Sequence, residues 1–179
     1  MRDELALLAR YNRWMNRRTY AAAAKLSSDE IKRDRGAFFG SVFGTLNHIM
    51  VADLLWLHRF ARARPDDPEL DPIRAMVEPT MLDQEMQSAL DELTRQRERI
   101  DAAVQAWIAT LDENALVASV SYKNTKGIAF ERRLSFLLTH FFNHQTHHRG
   151  QATTLLSQAG IDVGVTDLAL MLAEPETIW

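Results

Sequence analysis

The stretch His140–Gln151, HFFNHQTHHRGQ, holds four of the six histidines of the chain. It lies inside a longer run, about Arg133 to Gln158, that reads as one helix with Gly160 as its natural stop. The register of that helix sorts the histidines. Steps of seven from Leu134 reach Phe141, His148 and Leu155, and steps of seven from Leu137 reach His144 and Gln151. His144 and His148 therefore take seam positions that Leu and Phe fill a turn or two away. Side chains four apart on a helix are neighbours, so both imidazoles can reach one metal ion. His140 and His147 flank the seam, where they line a pocket mouth, orient a ligand histidine or face solvent. The competing explanation is a satisfied polar layer, in which each buried imidazole finds its donor and acceptor or loses about 1–3 kcal/mol.

Working outward, the spacing predicts three more long helices. Leu5, Leu8, Asn12, Met15, Thr19 and Ala22 share one face of a helix over about Asp3–Lys25, and Ser27–Asp29 supply stop-and-cap chemistry. A second helix, about Ser41–Ala63, is apolar on two sides, as expected of a central bundle helix. A charged, proline-rich connection follows, with Pro65, Pro68, Pro72 and Pro79. A third helix over about Met81–Leu111 keeps a heptad-like apolar stripe broken only at Arg97. Val117–Tyr122 alternates like a strand, meets a turn signal at Asn124–Gly127 and returns at Ile128–Glu131. That segment is a small hairpin or an irregular loop covering one end. The apolar Leu168–Ala173 fits a short C-terminal helix, packed outside or against a partner subunit. The expected fold is all-α: one four-helix-bundle domain over residues 1–179, with a hairpin or loop between helices three and four. Loop lengths leave the helix order open.

Composition narrows the function. A net charge of −3 and a pI near 6.1 give no electrostatic reason to expect nucleic acid. The chain has no cysteine, which excludes disulfides, thiolate ligands and a cysteine nucleophile, so any metal is held by nitrogen and oxygen. The N-terminal MRDELALLARYNRW lacks the apolar core of a signal peptide, and no stretch approaches the roughly 18 apolar residues of a spanning helix. A cytoplasmic enzyme or binding protein, without a membrane partner, is expected.

A third metal ligand is needed, and His48 is the natural candidate, in the middle of the most apolar helix. Taken alone it reads more readily as a core histidine than as a ligand. His58, ten residues on and near the charged end of its helix, is expected at the surface.

The early YNRWMNRR, the LNHIMVAD of the second helix and NHQTHHRGQ of the fourth resemble the DinB-like (YfiT-like) family of metal-binding four-helix bundles. The resemblance covers nearly the whole chain. It implies a metal held by three histidines, here His48, His144 and His148, and homodimers. The off-seam aromatics Phe136 and Phe142, expected to be exposed, are candidates for that contact or equally for packing under the hairpin. Three imidazoles plus solvent make an open, catalytic-type site. Zinc suits it best, and nickel or ferrous iron also accept three imidazoles. Asn12, Asn47, His140, Asn143, His147, Arg149 and Gln151 are candidates to line the pocket or orient the ligands.

HQTHH aligns with the HExxH of zinc peptidases, but Gln145 replaces the glutamate base, and an amide accepts no proton at neutral pH. Arg149 cannot act as a base, and Asp53 points to a different face from His48. A hydrolase would need another base, such as His147. The resemblance also implies a transferase in which the metal activates a low-molecular-weight thiol for attack on a small electrophile. A non-catalytic, dimeric metal-binding bundle is the reading from another class.

Overall fold

The computed structural model describes residues 1–124 and 126–173. The described residues form helices α1 (Arg2–Ala23), α2 (Ser28–Lys32), α3 (Val42–Ala63), α4 (Asp71–Arg74), α5 (Leu90–Thr110) and α6 (Glu113–Val117). Strands β1 (Ser119–Lys123) and β2 (Ala129–Arg133) follow, then α7 (Leu134–Gln158) and α8 (Leu168–Ala173). The fold is the expected all-α bundle with one small sheet.

Four long helices build the core. α1 packs on α5 and α7, α3 packs on α7, and α3 touches α5 along a narrower seam. Cross-helix bonds give the directions. Arg2 reaches Ala109 while Arg17 reaches Glu98, so α1 and α5 are antiparallel. His48 faces His148 while Trp56 faces His140, so α3 and α7 are antiparallel. Asp53 pairs with Arg97 while Phe60 stacks on Trp107, so α3 and α5 run parallel. A parallel pair requires a long return, and the proline-rich connection supplies it. That connection is pinned where Trp107 Nε1 donates to Asp67 Oδ2 at 2.8 Å.

The starts of α2, α3 and α6 follow their side-chain caps. Ser41 accepts from Gly44 N at 3.0 Å and opens α3, and Ser27 caps α2. α5 begins nine residues later than the periodicity of the sequence predicts. The side chain of Asn47 explains the delay. Its Nδ2 donates to Gln84 O at 2.6 Å and its Oδ1 accepts from Met86 N at 2.8 Å, holding the segment extended across α3. The Met86 N–H, engaged in this way, is not available for a helical bond.

The hairpin forms. β1 and β2 pair antiparallel with Tyr122 opposite Phe130. Asn124 Oδ1 accepts from Lys126 N and Ile128 N, and Gly127 supplies the positive φ of the turn. Thr125, within that turn signal, lies outside the described residues. α8 seats Met171 against Trp14 and Met15 of α1. Among the described residues, no helix is long and apolar enough to cross a membrane.

Three sequence expectations need correction. His58 is buried, because α4 and the following loop close over its side of α3: its ring lies within hydrogen-bonding range of the Met76 backbone and near Glu78. Phe142 is also buried, packed edge-on against Phe141, and only Phe136 of that pair is exposed. The deepest stripe of α7 runs through Leu138, Phe141, Gln145, Arg149 and Ala152. His144 and His148 lie on its edge, half-buried, where α7 turns toward α3.

Candidate metal centre

The antiparallel packing of α3 on α7 brings His48 against the pair on α7. Ring centroids lie 4.6 Å (His48–His148), 5.4 Å (His48–His144) and 4.3 Å (His144–His148) apart. One nitrogen from each imidazole lies within 4.8 Å of the other two, a spacing that can hold a divalent metal ion.

Hydrogen bonds to the far side of two rings fit that role. His48 Nδ1 lies 3.1 Å from Leu82 O, and His148 Nδ1 lies 2.8 Å from Gln151 Oε1. Each oxygen accepts the Nδ1 proton and so fixes the tautomer that leaves Nε2 with a lone pair. Burial holds both imidazoles below the ordinary histidine range. Burial, then the adjacent His148 and His48, push His144 down to about 3. The three rings are therefore neutral at physiological pH, the form in which imidazole binds metal.

Phe39 walls one side. Its ring stacks on His48 with centroids 3.8 Å apart and an interplanar angle of 16°, and meets His148 edge-on at 5.5 Å. It belongs to a turn closed by an Ala37–Gly40 bridge, and Gly36 and Gly40 both have positive φ. Next to it, Phe38 is 89% exposed at the rim of a cavity of about 460 Å³. His147, Gly150, Gln151 and Thr154 also line that cavity, which places open space beside the His148 support.

The remaining candidates divide. Gln151 bonds His148, and His147 stands beside both, 3.4 Å from Gln151 Nε2. His140, exposed, contacts the His144 ring at 6.0 Å and Trp56 at 5.1 Å. Asn47 acts at one remove, by holding the loop whose Leu82 carbonyl meets His48. Asn143 is exposed. Asn12 and Arg149 are buried in the bundle interior, bonded to each other. Gln145 is fully buried, turned into the core, with neither amide atom bonded to a protein group. Asp53, on another face of α3 as expected, pairs with Arg97.

Sequence reasoning missed two contributors. The Leu82 carbonyl is a backbone group, which no residue type betrays. Phe39 had a signal, an aromatic pair set between two glycines one turn before the helix of His48.

The fold and the site define a class: a four-helix bundle with three convergent histidines, on two antiparallel helices, that could hold a divalent metal ion. The chain belongs to the DinB family, whose model matches residues 1–177. It is 27% identical to the protein DinB of Bacillus subtilis (strain 168) over 177 residues, covering 99% of this chain and 98% of that protein. No solved structure matches it.

Proposed function

We propose that His48, His144 and His148 bind a divalent metal, zinc first and nickel or iron as alternatives, and that the protein is a thiol-dependent S-transferase acting on a small electrophile. The observation that carries the reading is the donor set: three neutral imidazoles, two with their Nδ1 protons already engaged, and, among the described residues, no carboxylate in the cluster. Three protein ligands leave a position for a small molecule, and a metal bound there supplies Lewis acidity that lowers the pKa of a coordinated thiol. The chain's own residues do the rest. Gln151 and Leu82 hold two rings in orientation, Phe39 excludes water from one side, and the cavity beside His147 admits the small ligand. Peptidase-like hydrolysis is disfavoured, since position 145 is an amide and faces the core. We place this activity in the cytoplasm, in a homodimer whose contact includes the exposed Phe136.

Two measurements test the proposal. Wild-type protein should bind one divalent ion per chain, and His48→Ala and His144→Ala should each abolish stoichiometric binding. Full metal content in both variants would refute the ligand assignment. In cobalt-substituted protein, added thiols should shift the visible ligand-field bands. A coordinatively saturated metal indifferent to every thiol would refute the transferase reading in favour of a non-catalytic site.

A further inference from the structure

The interior of the bundle contains a polar network that the metal centre does not use. Arg97 of α5 donates to Asp53 of α3 and pairs with Asp101 Oδ1 at 2.8 Å. Asp101 accepts from Asn16 Nδ2 at 3.1 and 3.0 Å and from Asn12 Nδ2 at 3.2 Å. The same two amides turn their oxygens to Arg149 of α7, which donates to Asn12 Oδ1 and, at 3.4 Å, to Asn16 Oδ1. All six residues are at most 3% exposed.

Each ligand-bearing helix contributes one member. Arg149 directly follows His148, and Asp53 lies five residues after His48, about 140° around the helix at 100° per residue. On α3 and α7 alike, one face carries ligands and another is bonded into the network. Buried ion pairs are poor sources of net stability, because desolvation offsets most of their attraction. What they impose is geometry. A side-chain nitrogen about 6 Å from a helix axis moves about 1 Å for a 10° rotation, whereas metal–ligand distances tolerate about 0.2 Å. A device that fixes helix rotation therefore acts directly on coordination.

We propose that the Asp53–Arg97–Asp101–Asn16/Asn12–Arg149 network is the positioning device of the metal centre, so that Asn16 and Asp53, which touch no ligand, set its affinity and geometry. α1 carries no ligand histidine, yet it supplies the two amides that join the anion of α5 to the cation of α7. The inference rests on the three-histidine reading, and the experiment separates their failures. Cobalt affinity, by chelator competition, and the visible ligand-field spectrum are measured for wild type, Asn16→Ala, Asn16→Ser and Asp53→Asn. A fourth variant, Ile73→Ala, removes core packing at a site outside the network. Circular dichroism selects the folded variants, and the milder Asn16→Ser decides if the others unfold. The expected result is a loss of affinity of about tenfold or more with altered band shape in the network variants, and neither change in Ile73→Ala. Wild-type affinity and spectrum in the network variants would overturn the inference. So would equal losses in Ile73→Ala, since affinity would then merely track stability. Absence of cobalt binding by the wild type would instead remove the three-histidine reading.

Discussion

Gly44→Ala sets two ordinary effects against each other. Gly44 is in the first turn of α3, one turn before His48. By helix propensity alone, alanine should gain about 1 kcal/mol, with some further gain from restricting the unfolded chain. The structure opposes this. A Cβ at position 44 would meet the Phe39 carbonyl oxygen at 2.2 Å and the Phe39 carbonyl carbon at 3.3 Å. Ordinary contact starts near 3.4 Å, so something must yield by more than 1 Å, and the obstacle is backbone rather than a flexible side-chain tip. Overpacking of this kind costs about 1–3 kcal/mol, enough to outweigh the propensity gain. A net loss near 1 kcal/mol corresponds to about 2–4 °C in Tm for a chain of this size. Because the Phe39 ring stacks on His48, the shift should also reach the metal centre. Metal affinity should fall several-fold. Thermal unfolding of the metal-free protein and a chelator competition measure the two effects. A variant as stable as wild type with unchanged affinity would refute the close approach of Phe39 to α3 and its role as a support for His48.

Three further outcomes are expected. Gln151→Ala removes the acceptor of His148 Nδ1 and should weaken metal binding about tenfold by competition titration; unchanged affinity would mean that His148 needs no such support. Arg97→Met leaves Asp53 and Asp101 buried without their cation and should cost about 3–5 kcal/mol in urea unfolding, whereas a loss under about 1 kcal/mol would show that the network is dispensable to the fold. His58 is held below its ordinary value near 6.5 by burial, so as pH falls below that value the unfolded chain takes up the proton first and stability is lost. His58→Gln should flatten the wild-type decline in urea midpoint between pH 7.5 and 5; an identical slope would place the burden on the other histidines.

Much of the architecture was legible because helical periodicity is a local property. α1, α3 and α7 end within about two residues of their patterns, and Gly160 stops α7 as expected. The start of α5 was illegible for a non-local reason: the apolar spacing continues back to Met81, but Asn47 claims the backbone of residues 84 and 86. The HxxxH spacing placed His144 and His148 side by side, while the meeting with His48 depended on which helices pack together. Burial was read least well. His58 is covered by α4 and the loop after it, Phe142 is buried beside Phe141, and the break at Arg97 looked like a flaw in the stripe. It is one node of a network whose other members are Asp101 on the same helix and residues of three further helices.

The meeting of α3 with α7 also bears on chain entropy. With no cysteine the protein has no covalent cross-link. His48 and His148 stand roughly one hundred residues apart in sequence, with rings 4.6 Å apart in the fold. An ion shared between them would close a loop of that length, and the entropy withheld from the unfolded chain grows with the logarithm of loop size. His144 and His148 close almost nothing between themselves, since one helical turn already joins them. Of the three histidines, His48 is therefore the one through which a bound ion would act as a reversible staple between the early and late halves of the chain.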